Sequence, residues 1–338
     1  MLISDMMSDQ GTGRGKPGGA VFPMLFRGLQ MSATGLRRYI FSGAVPEQLA
    51  IVRMVLGIGL IAFHCLQFVY FIKLSPDGAA FHFVNPIWYF DLLGINSVSI
   101  GATQVALTIL VLSSAFFGIG LFTRTSLLIA LVMIMMLKGT RDSIAGDLHH
   151  RYLIPFNILF FFLLSRCGDL WSVDAWRKRR QGGMKRLEEW EASWPIRSSQ
   201  MYIASFYFMS AVAKLRMTGW SWGSGERLQS LLLVRSTRFG LKDGVPIDGS
   251  QFAYWLSQNE LACQILGAST YVFEFGFPLV LLISNTWIRL LFLLGVSGFH
   301  IANYFLINVQ FLLLPIVFVV FFDLSKPVKT FLARRQSP

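Results

Sequence analysis

The stretch SSQMYIASFYFMSAVAKLRMTGWSWGSGERLQSLLL, Ser198 to Leu233, decides how the rest of the chain is read. From Gln200 to Leu215 it is apolar or small enough to enter a bilayer. It nevertheless carries Lys214 near its far end, and a Trp- and Gly-rich turn (Trp220, Trp222, Gly223, Gly225) follows at once. An ionisable side chain inside a span costs about 2.5–3.5 kcal/mol on insertion scales, so it has to be paired, hydrated or functional. Lys214 therefore marks both a membrane-spanning segment and a candidate site.

The rest of the chain agrees with a membrane solvent. Hydrophobic residues make up 54% of the 338 and charged ones only 14%, against about 25% in soluble domains, and the mean hydropathy is +0.55. The net charge of +12 reads as the cytoplasmic Lys and Arg excess of an integral membrane protein rather than as a nucleic-acid footprint. The lipid bilayer is thus the expected partner and nucleic acid is not. Cys65, Cys167 and Cys263 stand alone, with neither a CxxC step nor a disulfide framework, and no His and acid spacing suggests a metal cage. No metal is expected.

Residues 1–20 read as a disordered tail without the apolar core of a cleavable leader, so the first span serves as the insertion signal. Residues 21–46 are basic and mildly amphipathic, an interfacial segment. Residues 47–325 form the transmembrane domain and 326–338 a basic tail. Apolar runs predict spans over Leu49–Ile72, Ser99–Phe122, Ser126–Leu137, Tyr152–Leu164, Gln200–Leu215, Leu261–Ile283, Thr286–Leu306 and Val309–Leu324. The expected fold is all-α, a polytopic helical bundle of about eight spans. Residues 79–96, aromatic but too polar to cross, are expected as an interfacial or re-entrant helix on the outer face, and Arg166–Arg197 as a charged, partly helical connection.

Orientation follows from charge. With eight spans, the N-terminal arm, Arg124, the Arg177–Arg180 cluster and the tail with Lys326, Lys329, Arg334 and Arg335 share the cytoplasmic side. Both termini are then cytoplasmic, in a bacterial inner or plasma membrane.

The groups that do not suit lipid are Arg53, His64, Lys214, Glu274 and His300, with His149 and His150 at the mouth of the fourth span. The topology brings most of them to the outer leaflet. Lys214 is the natural proton acceptor, because burial favours the neutral amine, and His150 could stabilise or relay charge. Each also has a plainer reading. Lys214 could snorkel, Glu274 could neutralise Arg53 or Lys214, and the histidines could be hydrogen-bonded packing residues. Signatures for serine nucleophiles, phosphate loops, HExxH zinc and haem attachment are absent. The Gly57/Gly59 and Gly118/Gly120 steps fit close helix packing.

Several of these segments, taken in order, resemble the membrane domain that vitamin K-dependent gamma-carboxylase shares with bacterial relatives, the HTTM family. They are Arg53 in the first span, Gly146-Asp147 with His150-Arg151-Tyr152-Leu153, Trp171 to Trp176, Ala211 to Trp220 with Lys214 and Trp220, Tyr271 to Glu274, and a late span ending near His300. The resemblance covers roughly Leu49 to Asp323. It implies a lipophilic quinol substrate, a reduced quinone as cofactor, Lys214 as the base and His150 as its assistant. The long lumenal C-terminal region of the carboxylases has no counterpart here. The leading expectation is an enzyme acting on a lipophilic quinol-like molecule from the outer leaflet, the protein partner being unknown. The alternative is a non-catalytic membrane binding, export-helper or immunity protein with a structural Lys/His/Glu network. A transporter comes third, for want of an internal repeat.

Overall fold

A computed structural model describes residues 34–41, 43–73, 80–145, 153–183, 186–237, 240–242, 245–247, 251–307, 311, 313–325 and 328. They are predominantly helical. A short helix α1 (34–41) leads to α2 (Pro46–Lys73), and a hairpin of β1 (Ala80–His82) and β2 (Ser97–Ser99) encloses α3 (Trp88–Leu92). Then come α4 (Ile100–Ile119), α5 (Thr123–Ala145), α6 (Leu153–Leu164), α7 (Val173–Arg180) and the 30-residue α8 (Glu189–Thr218). A 3-10 turn (Gly219–Trp222) passes into α9 (Glu226–Thr237), a second hairpin, β3 (Gly240–Lys242) with β4 (Val245–Ile247), and α10 (Gln251–Ser257). The last elements are α11 (Glu260–Gly276) with a 3-10 extension (Phe277–Leu281), α12 (Thr286–Ile307) and α13 (Leu314–Val317) with a 3-10 turn (Phe318–Phe321).

Local chemistry sets the boundaries. The Ser99 hydroxyl accepts the Ala102 amide at the start of α4, and Gly120 ends that helix in the left-handed conformation. Asn259 caps α11 on the Ala262 amide, while the Glu191 carboxylate accepts the Glu188 amide ahead of α8. Helices α2, α4 and α5 pack in series. A Cβ on Gly57 would lie 2.6 Å from the Gly118 Cα, so this pair of glycines lets the α2 and α4 backbones touch.

Among the described residues, four helical stretches are long and apolar enough to cross a membrane: Pro46–Cys65, Ile100–Ile119, Glu260–Leu281 and Thr286–Leu306. They differ in cover, from 67% of the apolar window buried in α2 to 17% in α12. On α4 the exposed residues Val105, Ile109, Leu112, Phe116 and Ile119 recur every three or four positions. Such a stripe of exposed branched side chains suits lipid and not water.

The expected count of eight spans is not reached among the described residues. Helix α6 has only 12 residues, and the run expected as an eighth span is α13 plus a 3-10 turn, roughly 14 Å of rise. Its apolarity has another cause: Leu314, Val317, Phe318, Val320 and Phe321 are buried in the central core. Residues 79–96 differ too. In place of one interfacial helix, Ala80–His82 and Ser97–Ser99 on either side of α3 pair as β1 and β2, with Phe81 opposite Val98, and Phe83, Ile87, Phe90 and Val98 close a small core of their own. Helix α5 runs on through the polar Lys138–Ala145 stretch, where Lys138 pairs with the buried Asp142 one turn away.

The basic segments meet at one end of the helices. Ahead of α2, the Gly43 and Ala44 amides donate to Glu189 Oε1 (2.6 Å) and Ser193 Oγ (3.0 Å) at the start of α8. Gln48 donates to the Phe322 carbonyl, and Asp174 of α7 accepts the Phe122 and Thr123 amides that open α5.

Candidate functional site

Lys214 lies near the far end of α8, twenty-one residues after Ser193, which is about 30 Å of helical rise and close to the thickness of a hydrocarbon core. Its ammonium meets a carboxylate. Nζ is 2.6 and 2.8 Å from the two Glu274 oxygens and 2.8 Å from Ser210 Oγ, and the Ser210 hydroxyl donates onward to Glu274 Oε1 at 3.2 Å. Three hydrogens on the ammonium thus have three acceptors. The Glu274 side chain is 7% exposed and that of Lys214 24%, so the carboxylate lies deep and the lysine side chain is partly open.

Helical spacing builds both halves. Tyr207, Ser210, Lys214 and Thr218 fall on one stripe of α8, and Gly267, Tyr271 and Glu274 on the facing stripe of α11. Gly267 has a steric role, since a Cβ there would overlap the Trp222 carbonyl oxygen. That close approach seats the turn after α8, whose Trp222 ring lies 5.8 Å from Lys214 Nζ. Trp220 stacks on Tyr271 with centroids 5.3 Å apart, and the Tyr271 hydroxyl donates to the Gly219 carbonyl at 2.9 Å. The Trp220 ring is 60% exposed.

One turn before Ser210, the buried Tyr207 hydroxyl is hydrogen-bonded to His300 Nε2 of α12 and its ring stacks on Phe277 at 4.1 Å. His300 Nδ1 is buried without a hydrogen-bond partner among the described residues. Three helices therefore contribute to one polar cluster: α8 with Tyr207, Ser210 and Lys214, α11 with Tyr271 and Glu274, and α12 with His300.

The other candidates sit elsewhere. Glu274 pairs with Lys214 and not with Arg53, which stands at the basic end. There its guanidinium donates to four carbonyls: Gly118 (3.3 Å), Cys167 (2.6 Å), Leu170 (3.0 Å) and Trp171 (2.6 Å). Arg53 is a cap on the ends of α4 and α6, and at 0% exposure it touches no open site. His64, buried in α2, bonds through Nδ1 to the Leu60 carbonyl and meets Phe63 edge-on. His149 and His150 lie outside the described residues.

Sequence reasoning missed Ser210 and Tyr207, and took Trp222 only as part of the turn after Lys214. Spacing was the usable signal, because Tyr207 and Ser210 precede Lys214 by seven and four residues on one helical face. Among the described residues no group of three or more His, Cys, Asp or Glu is placed to hold a metal ion. Compared with known protein families, with curated proteins and with solved structures, the chain finds no match in any of the three.

Proposed function

We propose that the chain is an integral membrane protein of the HTTM type, with its basic end cytoplasmic and its Lys214 end in the outer leaflet. On this reading the α8–α11–α12 junction holds a lipophilic quinol-like molecule, a reduced quinone, and Lys214 takes its proton. The observation that carries the reading is the asymmetry of the pair, a deep carboxylate beside a partly open lysine side chain.

A lysine and a glutamate in contact share one transferable proton. With the proton on Lys214 the pair is ionic, and with it on Glu274 the amine has a lone pair for a quinol hydroxyl. Transfer to Lys214 leaves a quinolate beside an ammonium, which stabilises it electrostatically. The exposed Trp220 and the neighbouring Trp222 offer flat apolar faces for an aromatic ring. The unsatisfied His300 Nδ1 gives the cluster one further polar atom for a ligand, and His150 assists as the resemblance implies.

Because both tryptophans flank the pair, their fluorescence reports binding. Titration of the detergent-purified protein with a short-chain naphthohydroquinone should quench it saturably, and Lys214→Ala and His150→Ala should each weaken binding, or quinol oxidation with dissolved dioxygen as the electron acceptor, about tenfold or more. Unchanged binding and turnover in both variants would sink the enzyme reading.

A second reading is favoured by the three filled donor positions on Lys214. Here the cluster is a structural clasp in a non-catalytic membrane binding, export-helper or immunity protein. Glu274→Gln would then lower the melting temperature in detergent, with no quinol-dependent signal in the native protein.

A further inference from the structure

The basic end carries a cavity that the Lys214 chemistry does not use. It has a volume of about 760 Å³ and lies where α4 turns into α5 beside α6 and α7, lined among others by Phe122, Arg124, Arg166, Arg177 and Lys178 and by the carboxylates of Asp169 and Asp174. Its cations are not equivalent. Arg166 is committed to Asp169 (2.6 Å) and Glu191 (2.7 Å), and Lys178 to Asp169 (2.5 Å). Arg124 reaches only the Ser165 carbonyl, at 3.5 Å, and Arg177 lies over the Phe122 ring at 5.1 Å. These last two guanidinium groups face the cavity with no carboxylate partner among the described residues. The α5 N-terminus does not fill the role of anion binder, because Asp174 already accepts its first amides.

The surroundings select the anion. Ile119 closes α4 at 53% exposure, Leu164 closes α6 at 56%, Phe122 in the cavity lining is 59% exposed, and Trp176 of α7, 52% exposed, carries Arg180 over its ring at 3.9 Å. The cavity therefore lies next in sequence to apolar helix ends, with the exposed Phe122 in its lining, the mixture of aromatic and basic side chains that marks the membrane interface. A soluble anion has no use for exposed Leu, Ile and Trp side chains. A phospholipid uses both features, its phosphate on the guanidinium groups and its acyl chains along α4 and α6.

We propose that this cavity binds the phosphate headgroup of an anionic phospholipid, held by Arg124 and Arg177. The inference requires only that the chain lies in a membrane, independently of any chemistry at Lys214. Retention of the protein in carbonate-washed membranes checks that placement separately.

The test uses the full chain in neutral detergent, with phosphatidylglycerol, phosphatidylcholine and inorganic phosphate as probes and the thermal midpoint as readout. Phosphatidylglycerol should raise the midpoint saturably, phosphatidylcholine much less, and millimolar phosphate hardly at all. Since one basic residue near a lipid surface contributes about fivefold in affinity, the double variant Arg124→Gln/Arg177→Gln should need roughly 25-fold more phosphatidylglycerol. Native mass spectrometry of the unmutated protein gives a second readout independent of the variants: retained phosphatidylglycerol should fall as salt rises. Equal stabilisation by the two lipids, equal stabilisation by phosphate alone, an unshifted titration in the double variant or salt-insensitive retention would each overturn the proposal.

Discussion

Arg53 and Lys214 are two cations that the apolar helices have to accommodate, and they are accommodated in opposite ways. Arg53 is fully buried and donates to four backbone carbonyls where α4 and α6 end. Lys214, at the other end of the helices, is partly open and faces a carboxylate. Carbonyl oxygens accept hydrogen bonds but take no proton under ordinary conditions, so the Arg53 cluster has one state and serves as a clasp. Lys214 and Glu274 are instead two ionisable side chains held by an ion pair. The same problem of a cation among apolar helices is solved once with backbone carbonyls and once with an ion pair.

The largest effect should come from breaking the clasp. Arg53→Met removes the shared partner of four carbonyls, and a buried polar group left unsatisfied costs about 1–3 kcal/mol. A loss of at least about 4 kcal/mol is expected, measured as the disappearance of monodisperse protein in size-exclusion chromatography. Arg53→Lys should rescue only part of the yield, because a compact ammonium lacks the fork that spans carbonyls from two chain segments. Yield equal to that of the unmutated protein in Arg53→Met would remove the clasp role.

The Lys214 pair should be less costly to break. Removing one partner of a buried ion pair costs about 3–5 kcal/mol, and the accessible lysine lowers that, so about 2 kcal/mol is expected for Glu274→Gln. Lys214→Met combined with Glu274→Gln leaves no unpaired charge and should be less destabilising than the sum of the single changes. Strict additivity of the three melting temperatures would show that the two side chains are not energetically coupled, and the contrast with Arg53 would then lose one of its sides.

Much of this was legible in the sequence, with limits that have physical causes. Lys214, Glu274 and His300 stood out because each is ionisable in an apolar run, and the cost of burying charge requires a partner. Which partner was not legible: Glu274 suited Arg53 as well as Lys214 until the helices fixed their separation. Apolarity alone also misled over Leu314–Phe321, since a buried core segment and a lipid-facing one share a composition and differ only in what covers them. The short hairpin around α3 was missed because its strands are only three residues long and the aromatic residues between them suit an interfacial helix. Tyr207 and Ser210 were overlooked because neither is charged, although both share the helical face of Lys214.

The smallest expected effect lies at the basic end and concerns pH. Burial pushes the Asp169 and Asp174 carboxyls up, but hydrogen bonds outweigh it: Lys178 and Arg166 hold Asp169, and Thr123 and Phe122 hold Asp174, below the ordinary carboxylate range. A carboxyl held lower in the folded state contributes stability that is present above its unfolded pKa, about 3.9. That stability is lost as pH falls through the lower folded value. Melting temperature should therefore be flat near neutral pH and decline below about pH 4. Asp174→Asn keeps an oxygen for the helix start but not the charge, so it should destabilise the protein at neutral pH by only about 0.5 kcal/mol, the worth of a negative charge at a helix N-terminus, and make the acid decline shallower. Parallel melting curves for the two proteins across pH 2–7 would mean that the Asp174 charge adds nothing to the cap. Arg53→Lys, where it folds, should leave the acid decline unchanged, because its carbonyl partners have no proton to gain over this range.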